Sequence, residues 1–226
     1  MTSNTENREF DRPIVTVDVV LVTVIDGKLQ VALYPRKTEP FKGAETIVGT
    51  FVRVDEDETA ESAAQRVLEE KAGLTDVYFE QLQTFSGSAR DPRGWSVSIA
   101  YIALVPAATL RAGHDGLSFR PVDEISGLPF DHDLILKTAV LRLRGKGAYS
   151  VLPCHLLEPP FTYTEMIEAY ETVIGTKIDN SSFRRKVGDL GFVKESNLKR
   201  VRPLSGKRRP VLLELASDVA TFNRFL

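Results

Sequence analysis

The apolar residues of the N-terminal half fall mostly into segments that predict β-strands. Residues 15–36 are rich in Val, Ile and Leu and contain an Asp-Gly pair, which predicts two strands joined as a hairpin. Residues 77–106 predict two more strands that flank a loop, and residues 117–125 predict a further strand and turn. Inside that loop the letters DPRG match the preferences of a type I turn that begins at Asp91.

Helical spacing of apolar residues is found in residues 59–72 and again in residues 131–146. Residues 41–59, by contrast, are predicted to form a glycine-punctuated loop with one short apolar segment. Because strands and helices are mixed without a strict strand–helix alternation, the pattern predicts an α+β fold.

A change in composition near residues 149–161, YSVLPCHLLEPPF, indicates a domain boundary, because three prolines interrupt the chain there. We therefore predict two domains, residues 1–150 and residues 151–226, with the helix near 131–146 as a linker.

Beyond this boundary the pattern predicts two helices followed by two extended segments. Thr162 and Glu165 have the spacing of a capping box, and the helix that they begin ends at Gly175. Asp179 or Asn180 is available to cap the second helix, which is basic, and two extended segments surround the letters SGKRRP. Helix, short turn, basic helix and basic hairpin is the order of a winged helix-turn-helix.

Composition narrows the class of protein without naming its activity. Apolar residues make up 42% of the 226 residues and charged residues 27%, values that are ordinary for a globular protein. No apolar run approaches the roughly 18 residues that span a bilayer, so we expect no membrane partner. The polar N-terminus does not resemble a signal peptide, and the one cysteine, Cys154, fits a reducing cytoplasm.

Charge is distributed unevenly along the chain. The net charge is −2, but residues 181–210 hold ten Lys or Arg and two Asp or Glu, a balance of +8, which leaves −10 for the rest. Such an asymmetry indicates a module that binds nucleic acid attached to an acidic body, although a solvated basic surface would have the same composition.

The helix predicted over residues 59–72 holds the most informative chemistry. Positions 67, 70 and 71 share one helix face, where three carboxylates could hold Mg²⁺. The residues present are Val67, Glu70 and Lys71, so two of the three carboxylates are absent. We therefore expect no catalytic residue and no metal site, and an amphipathic helix packed on a sheet accounts for most of the pattern.

Residues 49–74 resemble a degenerate Nudix box, the motif of hydrolases that cleave nucleoside diphosphates linked to another group. The positions that match the box are Glu58, Arg66, Leu68 and Glu70, while Val67 and Lys71 depart from it. The resemblance implies an N-terminal Nudix-like α/β/α sandwich with a mixed sheet, which senses an effector without hydrolysing it.

The resemblance extends over nearly the whole chain. PFKG precedes the box remnant, and RDPRGWSVSIAY, FDHDLIL, FTYTEMIEAYETVIG and SFRRK follow it. This order is similar to that of the Nudix-related transcriptional regulators of NAD metabolism (NrtR). This resemblance implies a cytoplasmic, homodimeric repressor of NAD biosynthesis or salvage genes. It further implies a palindromic operator in double-stranded DNA, no cofactor, and release of the DNA by ADP-ribose or a related nucleotide.

Two other interpretations remain open from the sequence. One is an active Nudix-type pyrophosphatase that acts on ADP-ribose or a relative and carries a basic module of other use. The other is a repressor of the same architecture that responds to a sugar.

The pyrophosphate of ADP-ribose calls for cationic donors, which arginine forks supply best. Lys71 is a candidate to contact a phosphate in place of the missing metal, and Trp95 or Phe85 could stack on an adenine. His114, His132 and His155 have no partner at metal-ligand spacing and are predicted to be structural or surface residues. The candidate ligand-binding residues are Arg36, Glu58, Glu70, Lys71, Arg90 and Arg93.

A recognition helix contacts base edges from its N-terminal turns, whereas a wing contacts phosphates or the minor groove. The helix candidates for DNA binding are Asn180, Ser181, Ser182, Arg184, Arg185 and Lys186. The wing candidates are Lys199, Arg200, Arg202, Lys207, Arg208 and Arg209.

Overall fold

The structure is a computed structural model that describes residues 12–113, 116–197, 210–216 and 221. Its centre is a seven-stranded sheet whose main path runs β3-β2-β1-β6-β5, with β4 paired to β1 and β7 paired to β2. The strands are β1 (Ile14–Ile25), β2 (Lys28–Pro35), β3 (Glu45–Thr46), β4 (Val48–Phe51), β5 (Tyr78–Gly87), β6 (Ser96–Leu104) and β7 (Ser118–Pro121).

The sheet is mixed, as predicted. β1 and β6 run parallel over nine residue pairs, from Ile14 opposite Ser96 to Val22 opposite Leu104, whereas the other pairings are antiparallel. A parallel neighbour requires a crossover, and the chain supplies it through the segment that holds helix α1 (Ala60–Ala72).

Side chains that alternate along β1 fill the two faces of this sheet. Val17, Val19 and Leu21 pack against α1, while Val20 and Val22 belong to the core under helix α3 (His132–Gly147). Both cores are fully buried at these positions, so β1 is the central strand of an α/β/α sandwich.

Helix α1 has a well-defined beginning and end. Thr59 and Ser62 cap each other's backbone N–H groups, and Gly73 adopts the left-handed conformation, with φ of 65°, that ends the helix. Val67 has no exposed surface and lies in the apolar core between α1 and the sheet. An amphipathic helix packed on a sheet is therefore confirmed for this segment.

The C-terminal part has its own small core. Helix α4 (Tyr163–Ile174) begins with the predicted Thr162–Glu165 capping box, and helix α5 (Asn180–Leu190) is capped by Asp179. Strands β8 (Val193–Glu195) and β9 (Leu213–Leu215) pair antiparallel, and Phe161, Tyr170 and Phe183 are buried among these elements. Two helices followed by a two-stranded sheet confirm the predicted order of a winged helix.

The sequence did not predict several short elements. Residues 41–59 contain the strands β3 and β4, which are only two and four residues long, and residues 107–113 form helix α2 (Ala107–Gly113). Residues 152–156 form a 3₁₀ helix (Leu152–Leu156) before α4. Within the described ranges, no helix is both long and apolar enough to cross a membrane.

Candidate functional site

A cavity of about 270 Å³ opens where β1, β2 and β4 meet the last turn of α1 and the first turn of α3. Its wall is polar and mostly basic, with five cationic side chains against two anionic ones. The charged residues of the wall are Asp18, Arg36, Lys37, Lys71, Arg90, Asp91 and Arg93.

Four of the six ligand-binding residues predicted from the sequence lie together in this wall: Arg36, Lys71, Arg90 and Arg93. Glu58 and Glu70 are not among the residues that line it. An excess of positive charge in a concave site favours an anionic ligand such as a pyrophosphate.

Arg90 is the most firmly held of the four cations. Its Nε and Nη2 atoms donate to the two carboxylate oxygens of Asp131 at 3.0 and 2.9 Å, and its Nη1 donates to Ser96 Oγ at 3.1 Å. Nη2 also lies 3.6 Å from Asp18. Protein side chains therefore engage the guanidinium on several edges, and Arg90 serves the cavity as a fixed positive charge.

Arg93 lines the cavity close to two aromatic rings. Its Nε and Nη2 atoms donate to Asp91 at 2.9 and 2.6 Å, and its guanidinium carbon lies 4.8 Å from the centre of the Phe51 ring. The centre of the Phe130 ring is 5.8 Å from the same carbon. The predicted turn that begins at Asp91 is present, with Gly94 N donating to Asp91 O at 3.2 Å.

Arg36 is half-buried and is bonded to a backbone carbonyl instead of a carboxylate. Its Nε donates to the carbonyl of Pro40 at 2.8 Å, and the guanidinium lies 4.8 Å from the centre of the Phe130 ring. Burial lowers the pKa of Arg36, and the nearby charge of Arg93 lowers it further. Two arginines against one aromatic ring make a planar, cationic surface that suits a phosphate or a stacked base.

A buried polar group at the floor of the cavity was missed by the sequence analysis. Asp18 on β1 accepts a hydrogen bond from Ser98 Oγ at 2.6 Å, and Nε2 of His132 lies 3.6 Å from it. A Cβ at position 49 would clash with the Asp18 carboxylate, so β4 can approach β1 there only as glycine. The available signal was a lone carboxylate within an otherwise apolar strand.

His132 is structural in part, as predicted, but it also forms part of the cavity wall. It is 4% exposed, and burial lowers its pKa, so the neutral imidazole is favoured there. Among the described residues its Nδ1 atom has no hydrogen-bond partner.

The aromatic residues at the cavity differ from those considered in the sequence. Phe85 is buried in the core, and Trp95 is exposed but does not line the cavity. Phe51 and Phe130 do line it, and Phe130 is packed edge-on against Phe41. Phe51 is placed by the short strand β4 and Phe130 by the loop before α3, and the local sequence indicated neither.

The remnant of the box on α1 is held by arginine–carboxylate pairs. Arg66 donates to both oxygens of Asp57, at 2.8 and 2.7 Å, and its hydrogen bonds lower the pKa of Asp57 to about 2. Glu58, the residue that the resemblance matched, is exposed. Glu70 pairs with Arg53 at 3.3 Å and with Arg66 at 3.4 Å.

Mg²⁺, which a Nudix box implies, does not fit these residues. It requires several oxygen ligands in octahedral geometry, whereas Val67 is apolar and fully buried, and Lys71 presents a cation. Across the described part of the chain, no three His, Cys, Asp or Glu side chains are grouped to hold a metal ion.

Helix α5 presents its polar residues outward. Phe183 and Val187 are buried against the rest of the domain, whereas Asn180, Ser181 and Ser182 are exposed. Arg184 and Arg185 are exposed as well, while Lys186 is half-buried.

Arg184 also contacts the preceding helix, with its guanidinium carbon 4.9 Å from the centre of the Tyr163 ring. The predicted wing residues Lys199, Arg200, Arg202, Lys207, Arg208 and Arg209 lie outside the described residues.

Comparison with known proteins identifies the family. A model of the NrtR DNA-binding winged helix domain matches residues 153–212. The chain is also 33% identical over 223 residues to the ADPR responsive transcriptional repressor NtrR of Acinetobacter baylyi, an alignment that covers 96% of this chain and 88% of that repressor. This chain belongs to the NrtR family.

Solved structures of another NrtR protein share the fold. The crystal structure of Shewanella oneidensis NrtR is 34% identical and superimposes with a TM-score of 0.85, covering 94% of this chain and all of that one. The same protein has been crystallised with a 27mer DNA, with a TM-score of 0.83 to this chain. Its NUDIX domain has been crystallised with ADP ribose, at 33% identity and a TM-score of 0.54 over 63% of this chain and 99% of that domain.

Proposed function

We propose that this protein is a DNA-binding transcriptional repressor whose N-terminal cavity binds ADP-ribose or a related nucleotide. Binding of the nucleotide releases the DNA. The observation that carries the proposal is that one chain combines a cationic cavity on the sheet with an exposed basic helix, α5, in a winged helix.

The charge of the cavity supports a phosphorylated ligand. Arg36, Lys71, Arg90 and Arg93 converge on a space of about 270 Å³, and Phe51 and Phe130 add apolar faces to it. A pyrophosphate suits the cations, and an adenine suits the aromatic faces. A neutral sugar would leave the excess of positive charge in the wall without a counter-charge, so the sugar-responsive alternative is disfavoured.

Helix α5 supports DNA binding through its exposed residues. We assign base and phosphate contacts to Asn180, Ser181, Ser182, Arg184, Arg185 and Lys186, and backbone contacts to Lys199, Arg200, Arg202, Lys207, Arg208 and Arg209. A homodimer of this protein would read a palindromic operator, with one α5 in each half-site. We propose that the operators control NAD biosynthesis or salvage genes and that the protein acts in the cytoplasm.

We further propose that the N-terminal domain, residues 1–150, senses its ligand without hydrolysing it, and that residues 151–226 form the DNA-binding domain. A hydrolase remains the second candidate, because the chain is 35% identical over 132 residues to the ADP-ribose pyrophosphatase of Methanocaldococcus jannaschii, which covers 58% of this chain and 75% of that enzyme. Val67 and Lys71 disfavour it, since neither can bind Mg²⁺. Incubation of the protein with ADP-ribose and Mg²⁺ should yield no cleavage products above the level of a protein-free control.

A DNA mobility-shift assay against the upstream region of the protein's own gene tests the repressor function. We expect a shifted complex that dissociates when ADP-ribose is added and persists when NAD is added at the same concentration. Absence of a complex with that DNA and with upstream regions of NAD biosynthesis genes would contradict the DNA-binding role. A complex that survives saturating ADP-ribose would contradict the effector assignment alone.

A further inference from the structure

Helix α1 carries a cation at the position where the Nudix box has a carboxylate, and this cation faces the cavity. The ammonium of Lys71 donates a hydrogen bond to the carbonyl of Gly49 and lies 5.1 Å from the centre of the Tyr34 ring. An ammonium has three N–H donors, so the bond to Gly49 leaves donors for a ligand. Lys71 therefore belongs to the wall of the site and not to the outer surface.

The neighbouring residues of α1 confirm that the cation has not simply been added to a metal site. Val67, one turn earlier, is apolar and fully buried. The carboxylate of Glu70 is occupied by Arg53 and Arg66 and does not line the cavity. A divalent cation placed beside Lys71 would meet a like charge instead of an oxygen ligand.

The net positive charge of the wall favours an anion that binds without a metal ion. The cavity holds five basic side chains and two acidic ones, a balance of +3. Among the basic ones, Arg90 is engaged by Asp131 and Arg93 by Asp91. Lys71 is the basic residue that α1 itself contributes, and burial lowers its pKa, so a bound anion would stabilise its charged form.

We propose that the cavity binds a pyrophosphate-linked nucleotide as the metal-free anion, with the Lys71 ammonium contacting a phosphate in place of a divalent cation. This inference rests on the proposed function, because it uses the same effector and the same cavity. Its consequence is regulatory: the response of the repressor to its nucleotide does not depend on free Mg²⁺. No bond of the nucleotide is formed or broken in the process.

The test is calorimetric titration of the full-length protein with ADP-ribose, once with EDTA and once with excess Mg²⁺. We expect equal affinity in the two buffers for the unmodified protein. In EDTA, Lys71→Gln should lower the affinity about 10- to 100-fold, the range for losing one hydrogen bond to a charged group. Lys71→Arg keeps the charge and should stay within a few-fold of the unmodified protein.

A matched control removes a lysine outside the cavity. Lys28 is 62% exposed and pairs with Glu124, so Lys28→Gln should leave the affinity for ADP-ribose unchanged. DNA affinity without nucleotide, measured for every variant, shows whether the chain is folded, and we expect it to be unaltered.

Two results would overturn the inference while leaving the proposed function intact. One is binding of ADP-ribose to the unmodified protein only when Mg²⁺ is present. The other is a Lys71→Gln variant that binds DNA normally and binds ADP-ribose in EDTA as tightly as the unmodified protein. Failure of the unmodified protein to bind ADP-ribose in either buffer would instead overturn the proposed effector, and this inference with it.

Discussion

The guanidinium of Arg90 forks onto the carboxylate of Asp131, with Nε 3.0 Å from Oδ2 and Nη2 2.9 Å from Oδ1. Arg90 stands in the loop before β6, and Asp131 precedes the first residue of α3. The two side chains are 7% and 17% exposed, so the pair is largely removed from water. It therefore ties the loop that carries Arg93 to the helix that carries His132, and it holds Arg90 in the cavity wall.

Breaking this pair should cost stability, because a buried guanidinium would lose its hydrogen-bonded counter-charge and keep only the more distant carboxylate of Asp18. We expect Asp131→Ala to lower the free energy of unfolding by about 2–4 kcal/mol, somewhat below the range for a fully buried pair. Urea denaturation followed by tryptophan fluorescence measures it. The control is Asp123→Ala, because Asp123 is 74% exposed where it pairs with Arg144. This substitution should lower the free energy of unfolding by less than about 1 kcal/mol. Equal losses for the two variants would show that the Arg90 pair has no special role.

Sequence patterns predicted the elements that surround the cavity better than the cavity itself. The β1–β2 hairpin, α1, α4 and α5 follow from apolar periodicity and capping residues, which act over a few neighbours in the chain. The short strands β3 and β4 do not, because a strand of two to four residues is stabilised by its partners in the sheet rather than by its own propensity.

The polar floor of the site depends on contacts between distant parts of the chain. Asp18 meets Ser98, eighty residues later, only because β1 and β6 are parallel neighbours in register. The box remnant also depends on geometry that the sequence does not show. Counting residues selects Glu58 as the partner of the box, whereas in the structure Arg66 donates its hydrogen bond to Asp57. Four of the predicted cationic residues do line one cavity, and their role in ligand binding stays a prediction.

The effector response should depend on Arg36, whose guanidinium lines the wall and donates to a backbone carbonyl instead of a carboxylate. We expect Arg36→Gln to raise the ADP-ribose concentration that releases half of the DNA by about 10- to 100-fold, because a charge-assisted contact to phosphate is lost. The measurement is fluorescence anisotropy of labelled operator DNA titrated with ADP-ribose.

The corresponding control replaces an arginine outside the wall. The Arg120 side chain is 43% exposed and pairs with Glu45. Arg120→Gln should not change the ADP-ribose concentration that releases half of the DNA. Unchanged release by Arg36→Gln, with normal DNA affinity, would remove Arg36 from the set of ligand-binding residues.

Sequence reading by α5 should depend on Arg184, which the Tyr163 ring supports from the preceding helix. We expect Arg184→Ala to weaken specific binding by about 1–3 kcal/mol and to relax the preference at one base position. Arg184→Lys keeps the charge but loses the planar fork, so it should recover non-specific affinity without recovering specificity. Anisotropy with operator and with scrambled DNA distinguishes the two effects, and a scrambled-to-operator ratio unaltered by Arg184→Ala would assign this residue to the phosphate backbone.

The Asp57–Arg66 pair should stabilise the fold in a pH-dependent way. Hydrogen bonds from Arg66 lower the pKa of Asp57 from 3.8 to about 2, so the folded state binds a proton less readily than the unfolded chain. The stabilisation is therefore complete above pH 3.8 and is lost as the pH falls toward about 2. We expect Asp57→Asn to lower the free energy of unfolding by about 1–3 kcal/mol at neutral pH, and by progressively less in acid.

Denaturant unfolding across that acid range provides the measurement, with Glu58→Gln as the matched control. Glu58 is the adjacent carboxylate, it is exposed, and the Nudix box resemblance matches it in place of Asp57. Glu58→Gln should change the free energy of unfolding by less than about 0.5 kcal/mol at any pH, as expected of a surface substitution. If Glu58→Gln were instead the more destabilising variant, Arg66 would be paired as the residue count of the box implies, and the geometry at the start of α1 would have to be revised.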